Sequence, residues 1–144
     1  MGLDKVNLEN FKIENIDLNE LKDITAKVQE NKRAEEQRKI REEMFQKQME
    51  LEKKKNGALA IIQTIPYVVK QAAIEGKSGV NIMELKYEDF TRSSFYDKRE
   101  KHERLDIKAK MVWDYLVENR LNPKIYTAHD GVGIQSWDYI QANW

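Results

Sequence analysis

The segment Thr91-Arg92-Ser93-Ser94-Phe95-Tyr96-Asp97-Lys98-Arg99 gathers cations, hydroxyl donors and stackable rings within a few residues of one another. Phosphate oxygens call for guanidinium forks and hydroxyls, and a base or ribose calls for an aromatic face with a polar edge. On those grounds Arg92, Ser93, Ser94 and Arg99 are expected to hold phosphate. Tyr96, joined by Tyr126 and Trp137 from the C-terminal strands, is expected to stack on a base. The plainer reading is a solvated loop leading into a helix start, because charges from Lys98 to Arg104 alternate in sign.

Other chemical motifs fail on context. Gly76-Lys77-Ser78 invites a phosphate-loop reading, but position 71 is Gln, and a helix precedes the tripeptide where a strand is required. A helix cap with a turn is expected instead. His102 and His129 fall in different elements without a metal-ligand spacing. His129-Asp130 could do acid–base work, although adjacent residues in a turn more often cap backbone groups. With no cysteine there is no thiol catalysis, disulfide or thiolate metal site. These residues form no coherent catalytic set, so a non-enzymatic chain without cofactor is expected.

The elements that must position the candidates follow from apolar spacing. Residues 1–18 form an acidic leader, expected to act as a strap. Asn19 is expected to cap a helix starting at Glu20, and Leu21 to Lys55 contains neither Gly nor Pro. Leu21, Ile24 and Val28, then Ile40, Met44, Phe45, Met49 and Leu51, are separated by a charged run in which only Ala34 is apolar. Such a helix is marginal alone, which predicts pairing within the chain or between copies through residues 19–56. Residues 21–55 hold eleven Lys or Arg against eight Asp or Glu, too small an excess for tight nucleic-acid binding.

Asn56-Gly57 predicts a break, and Thr64 with Pro66 a restart or kink within the apolar segment Ala58 to Ile74. A strand over Val80 to Tyr87, a helix with Leu105, Ala109, Val112, Trp113, Leu116, Val117 and Leu121 on one face, and a hairpin around Asp130-Gly131-Val132-Gly133 complete the pattern. The expected fold class is α+β. A long N-terminal helix, as a helical hairpin or coiled coil, precedes a small three-stranded mixed sheet in which a crossover helix joins parallel strands and a C-terminal β-hairpin adds an antiparallel one. Trp137 and Tyr139 share a face of the last strand with Gln135, Gln141 and Asn143, a pairing of rings with amides that suits a recognition surface. The plainer expectation is that they cover the core helix. Residues 57–144 would be the compact module, with a sheet edge as a further oligomer contact.

The chain of 144 residues carries 25 Lys plus Arg and 25 Asp plus Glu, so it lacks the general positive field of a nucleic-acid binder. No continuous apolar run approaches the roughly 18 residues of a membrane span, and the acidic N-terminus lacks a signal core. A soluble cytoplasmic protein is expected, with no membrane partner.

Ala72-Ala73-Ile74-Glu75-Gly76-Lys77, the helix Val112 to Leu121 and the closing Ile140-Gln141-Ala142-Asn143-Trp144 together resemble a pattern in small bacteriophage-encoded α/β proteins, over about residues 72–144. Some proteins of that outline trap nucleotide signals in oligomeric pockets as counter-defence factors. The resemblance therefore implies a homo-oligomer that sequesters a small anionic ligand such as a signalling nucleotide, acting in the host cytoplasm. The alternative is an interaction module that binds and inhibits a host protein through its N-terminal helix.

Overall fold

The computed structural model describes residues 15–133 and 135–144. Nearly all of the leader lies outside them, and so does Ile134, which was expected to open the last strand. Helix α1 runs unbroken from Leu18 to Ile74. Its start is capped by Asp17, whose Oδ1 accepts the Asn19 N–H at 2.9 Å and the Glu20 N–H at 3.4 Å. Asp17 therefore takes the role expected of Asn19, since a carboxylate two and three residues ahead of orphan N–H groups satisfies both.

Neither the break expected at Asn56-Gly57 nor a restart at Thr64 to Pro66 occurs. Gly57 and Pro66 both lie inside α1. An interior Gly costs about 1 kcal/mol and an interior Pro about 3 kcal/mol, and tertiary packing outweighs both when the helix is anchored on either side. Here Ala58 and Ile65 are fully buried, and Ile61, Ile62 and Val69 pack against the same core. In the turn before the proline the Thr64 hydroxyl donates to the Ile61 carbonyl at 2.6 Å, the back-bond a threonine makes inside a helix. The expected helical hairpin is thus one continuous helix.

By compactness the chain divides into Met1–Phe45 and Gln46–Trp144, a boundary earlier than the expected 56/57. In the first unit every described residue is solvent-exposed. The second unit holds the core. Strand β1 (Gly79–Leu85), helix α2 (Ile107–Glu118), and strands β2 (Lys124–His129) and β3 (Ser136–Asn143) follow α1. The connection from β1 to α2 is not structureless. It contains 3-10 turns at Tyr87–Asp89 and Lys101–Arg104 and is pinched by a bridge between Phe90 and Leu105.

The sheet order is β1-β3-β2, and both pairings are antiparallel. This corrects the mixed sheet. α2 does connect two strands running the same way, but β3 inserts between them, so no parallel ladder forms. A hairpin partner is the nearest strand available to β2, and its other edge completes β1 without a second crossover. Asn81 faces Gln141 and Met83 faces Ile140, which leaves Ile82 as the extra residue of a β-bulge.

Val112, Leu116, Ile65 and Ile140 are the largest fully buried side chains, drawn from α2, α1 and β3. Together with Met83, Leu85, Leu105, Ala109 and Ala142 they cover the inner face of the sheet. Trp137 and Tyr139 alternate with Ile140 and Ala142 and so lie on the other face, contrary to the expectation that they cover the core helix. Burial on that outer face is incomplete, with Tyr126 and Trp137 both exposed.

An 18-residue window of α1 is apolar enough, and poor enough in charge, to cross a bilayer by length and composition. A continuous apolar run is not required for that, because Gln, Thr and Tyr interrupt the apolar residues without adding charge. Ala58, Ile65 and Ala72 of α1 are buried within the protein.

Candidate functional site

The fold divides the residues expected to bind a ligand. Arg92 and Ser93 line a hollow of about 560 Å³, together with Tyr87, Glu88, Phe90, Thr91, Lys101, Arg104 and Asp138. The hollow forms because the bridge between Phe90 and Leu105 closes the base of the loop: the Thr91 N–H donates to the Arg104 carbonyl at 2.7 Å. That closure holds Arg92 and Ser93 beside Arg104, eleven or more residues away in sequence.

Arg104 is the residue that the sequence reading missed. Its Nη1 donates to Ser93 Oγ at 3.2 Å, and its guanidinium lies 5.8 Å from the centre of the Phe90 ring. Its Nε is shielded from solvent and has no hydrogen-bond partner among the described residues. A buried guanidinium N–H without an acceptor is costly, but an incoming oxyanion would have to be met by the outer Nη groups, since the shielded Nε is covered. Among the described residues Arg92 makes no ion pair or hydrogen bond. The signal in sequence was only Thr91 and Arg104 flanking the loop, and nothing in local spacing says that they are paired.

Lys101 and Asp138 close one side of the hollow. Lys101 Nζ lies 3.1 Å from Asp138 Oδ2, and the Thr127 hydroxyl donates to Asp138 Oδ1 at 2.6 Å. Asp138 projects from β3 opposite Thr127 and Leu85. It occupies the inner end of the sheet, where apolar packing has run out and a hydrogen-bonded carboxylate is tolerated.

Other expected ligands are placed elsewhere or are already engaged. Arg99 is clamped on Asp97, with Nε at 3.0 Å from Oδ1 and Nη2 at 2.8 Å from Oδ2. These hydrogen bonds hold the Asp97 carboxyl down to about 2 and push the Arg99 guanidinium up. Arg99 is therefore committed to its own neighbour. Ser94 accepts the Asp97 N–H at its carbonyl, at 3.0 Å, in a tight turn. Tyr96 stands out in solvent with its ring edge-on to Phe95 at 5.6 Å.

Tyr126 is paired directly with Tyr139, and Trp137 with Ala128, on the outer face of the sheet. Asp138, which lines the hollow, projects to the inner face. The phosphate-type donors and the strand aromatics are therefore on opposite sides of one sheet, and a single ligand cannot use both.

The remaining motifs resolve into structure. Asp130 accepts the Val132 and Gly133 N–H groups at 3.0 and 2.9 Å on Oδ1 and the Gln135 N–H at 3.2 Å on Oδ2. That is turn chemistry, made possible by positive φ at Gly131 and Gly133. Gly76, at φ 81°, ends α1: its N–H donates to the Ala73 carbonyl at 2.9 Å and the Lys77 N–H to the Ala72 carbonyl at 3.0 Å. This is the double bond pattern of a Schellman cap, as the tripeptide's context required. Glu100, His102 and Glu103 present ligand atoms within 4.8 Å of one another, a proximity that sequence spacing did not suggest. All three are exposed, and His102 stacks on Trp113 at 5.2 Å.

No family model, curated protein or solved structure matches the chain.

Proposed function

We propose that this chain is a non-enzymatic, oligomeric binding protein whose C-terminal unit captures a small phosphate-bearing anion in the hollow shared by Arg92, Ser93 and Arg104. The observation that carries this reading is the Arg104 guanidinium, held on Ser93 through Nη1 in the hollow that Arg92 also lines. The anion is recognised through its phosphate, since the strand aromatics that would have read a base lie on the opposite sheet face. A linear or cyclic nucleotide remains within the class, held by its phosphate. The counter-defence setting, in which a phage-encoded chain would sequester a host signal, rests on the resemblance over residues 72–144.

A thermal-shift series on the full chain tests this, with orthophosphate, pyrophosphate and linear and cyclic nucleotides as probes. A ligand at about 100 times its Kd stabilises the native state by about 2.7 kcal/mol, a rise of a few degrees in Tm. The rise is expected to vanish in Arg92→Ala combined with Arg104→Met, whose methionine keeps the apolar stem against Phe90. A flat response to every anion overturns the proposal.

A second reading is favoured by a separate observation. Leu21, Ile24, Val28, Phe45 and Met49 are large apolar side chains on α1, each about half exposed. They would suit a module that blocks a host protein through the N-terminal helix. Capture of a partner by a chain that sediments as a monomer, lost on Ile24→Asp, would support it over pairing of α1 with a second copy.

A further inference from the structure

On α1 the a positions of one heptad frame are Leu21, Val28, Glu35, Glu42 and Met49, and the d positions are Ile24, Asn31, Arg38 and Phe45. Every one of these residues is exposed. The seam is apolar at both ends and charged in the middle. Two exposed apolar patches on one helix face favour a partner that covers them, and the order of charges between them says which partner fits.

A parallel, in-register copy would set Glu35 against Glu35, Arg38 against Arg38 and Glu42 against Glu42, three successive layers of like charge. An antiparallel copy can be placed so that each layer is complementary. Ile24 then meets Met49 of the other copy, Val28 meets Phe45, Asn31 meets Glu42, and Glu35 meets Arg38; two-fold symmetry repeats each layer. A shift of one heptad in either direction sets Arg38 against Val28 or Glu35 against Phe45. The flanking positions do not separate the orientations, since Lys32 approaches a lysine in both, Lys39 when antiparallel and Lys27 when parallel. The central layers decide, because like charges in a seam cost far more than charges at its rim.

Arg38 already leans toward this arrangement. Its Nη1 is 4.0 Å from Glu42 Oε1 on the same helix. In the antiparallel pair it would lie between that carboxylate and Glu35 of the second copy, and the Asn31 amide would donate to the second copy's Glu42. Ile40 and Met44 fall outside this seam. Met44 lies on the row that continues through Leu51, Ala58, Ile65 and Ala72, the face turned to the core.

We infer that α1 pairs with a second copy of the chain as an antiparallel coiled coil over Ile24 to Met49, with Glu35 of each copy facing Arg38 of the other. The occupant is this chain itself, because its seam is self-complementary in one register. This pairing does not depend on the anion site.

Sedimentation velocity on the full chain is expected to show a dimer that Glu35→Arg weakens by about tenfold or more. Arg38→Glu should do the same, and the two changes together should restore the dimer. Orientation is read by cysteine cross-linking, which the cysteine-free sequence makes clean. Asn31→Cys mixed with Glu42→Cys is expected to give a heterotypic disulfide, while each variant alone stays unlinked. A monomer at all accessible concentrations overturns the inference. Self-cross-linking of each single variant also overturns it, in favour of a parallel pair. Circular dichroism on the same variants separates lost association from lost helix.

Discussion

Arg99 and Arg104 show how little a residue's type says about its role. Both are arginines near the same loop, yet Arg99 is bound to Asp97 two residues away while Arg104 reaches Ser93 across the bridge. A carboxylate at i−2 in a turn satisfies a guanidinium locally and takes it out of competition for a ligand. Two consequences are measurable. Arg99→Ala should release the Asp97 carboxyl from about 2 upward toward its usual 3.8, followed by an NMR titration of the side chain. The same variant should leave anion binding by the hollow unchanged, against the sequence expectation that Arg99 holds phosphate. A loss of binding in Arg99→Ala would return the site to the wider loop.

α1 and α2 stop in the same way, with paired 6→1 and 5→2 backbone bonds. In α1 these come from Lys77 and Gly76; in α2, from Leu121 to Leu116 at 2.8 Å and from Arg120 to Val117 at 3.1 Å. The left-handed residue is Gly76 at φ 81° in one and Arg120 at φ 57° in the other. A Cβ in that region costs roughly 1 kcal/mol or more, so the two sites should respond oppositely. Gly76→Ala is expected to destabilise by about 1 kcal/mol, although no atom lies within 4 Å of the added Cβ. Arg120→Gly is expected to stabilise by a similar amount, since Arg120 is exposed and the backbone there already favours glycine. Urea denaturation of both variants at one temperature checks the pair, and equal signs would show that the caps are not equivalent.

At the scale of the folded chain, a contact with a pH signature is Lys54 Nζ on Asp106 Oδ2 at 2.7 Å, which ties α1 to the residue before α2. Helical i,i+4 spacing would pair Lys54 with Glu50, but the ion pair that forms is the longer-range one. Its hydrogen bond lowers the Asp106 carboxyl below 3.8 and raises the Lys54 amine above 10.5. The depressed acid contributes stability that is present above 3.8 and is lost as pH falls through its folded value. The raised amine contributes stability that is complete below 10.5 and is lost as pH rises through its folded value. Asp106→Asn should therefore melt below the parent near neutral pH, by the equivalent of about 0.2 to 1 kcal/mol for a half-exposed pair, and the two should converge in acid. A constant gap between the melting curves down to low pH would assign the loss to packing instead. These melts belong at one protein concentration, because pairing of α1 would make Tm depend on it.

Period alone determined a good deal of this molecule: the long helix, the amphipathic α2, the hairpin around Asp130-Gly131, and the α+β class. Each depends on spacing within a dozen or so residues, where apolar side chains and turn formers act through the chain itself. Sequence also supplied the alternation of β3 and the turn role of Asp130, though not which face of β3 met the core. Tertiary packing decided that α1 continues through Gly57 and Pro66, because burial of Ala58 and Ile65 outweighs a local propensity cost. It also decided that β3 lies between β1 and β2, which turned a mixed sheet into an antiparallel one and separated Trp137 and Tyr126 from Arg92. The site moved for the same reason: Arg104 joined Ser93 only when Phe90 and Leu105 paired across the loop, a contact between distant residues that no local spacing encodes.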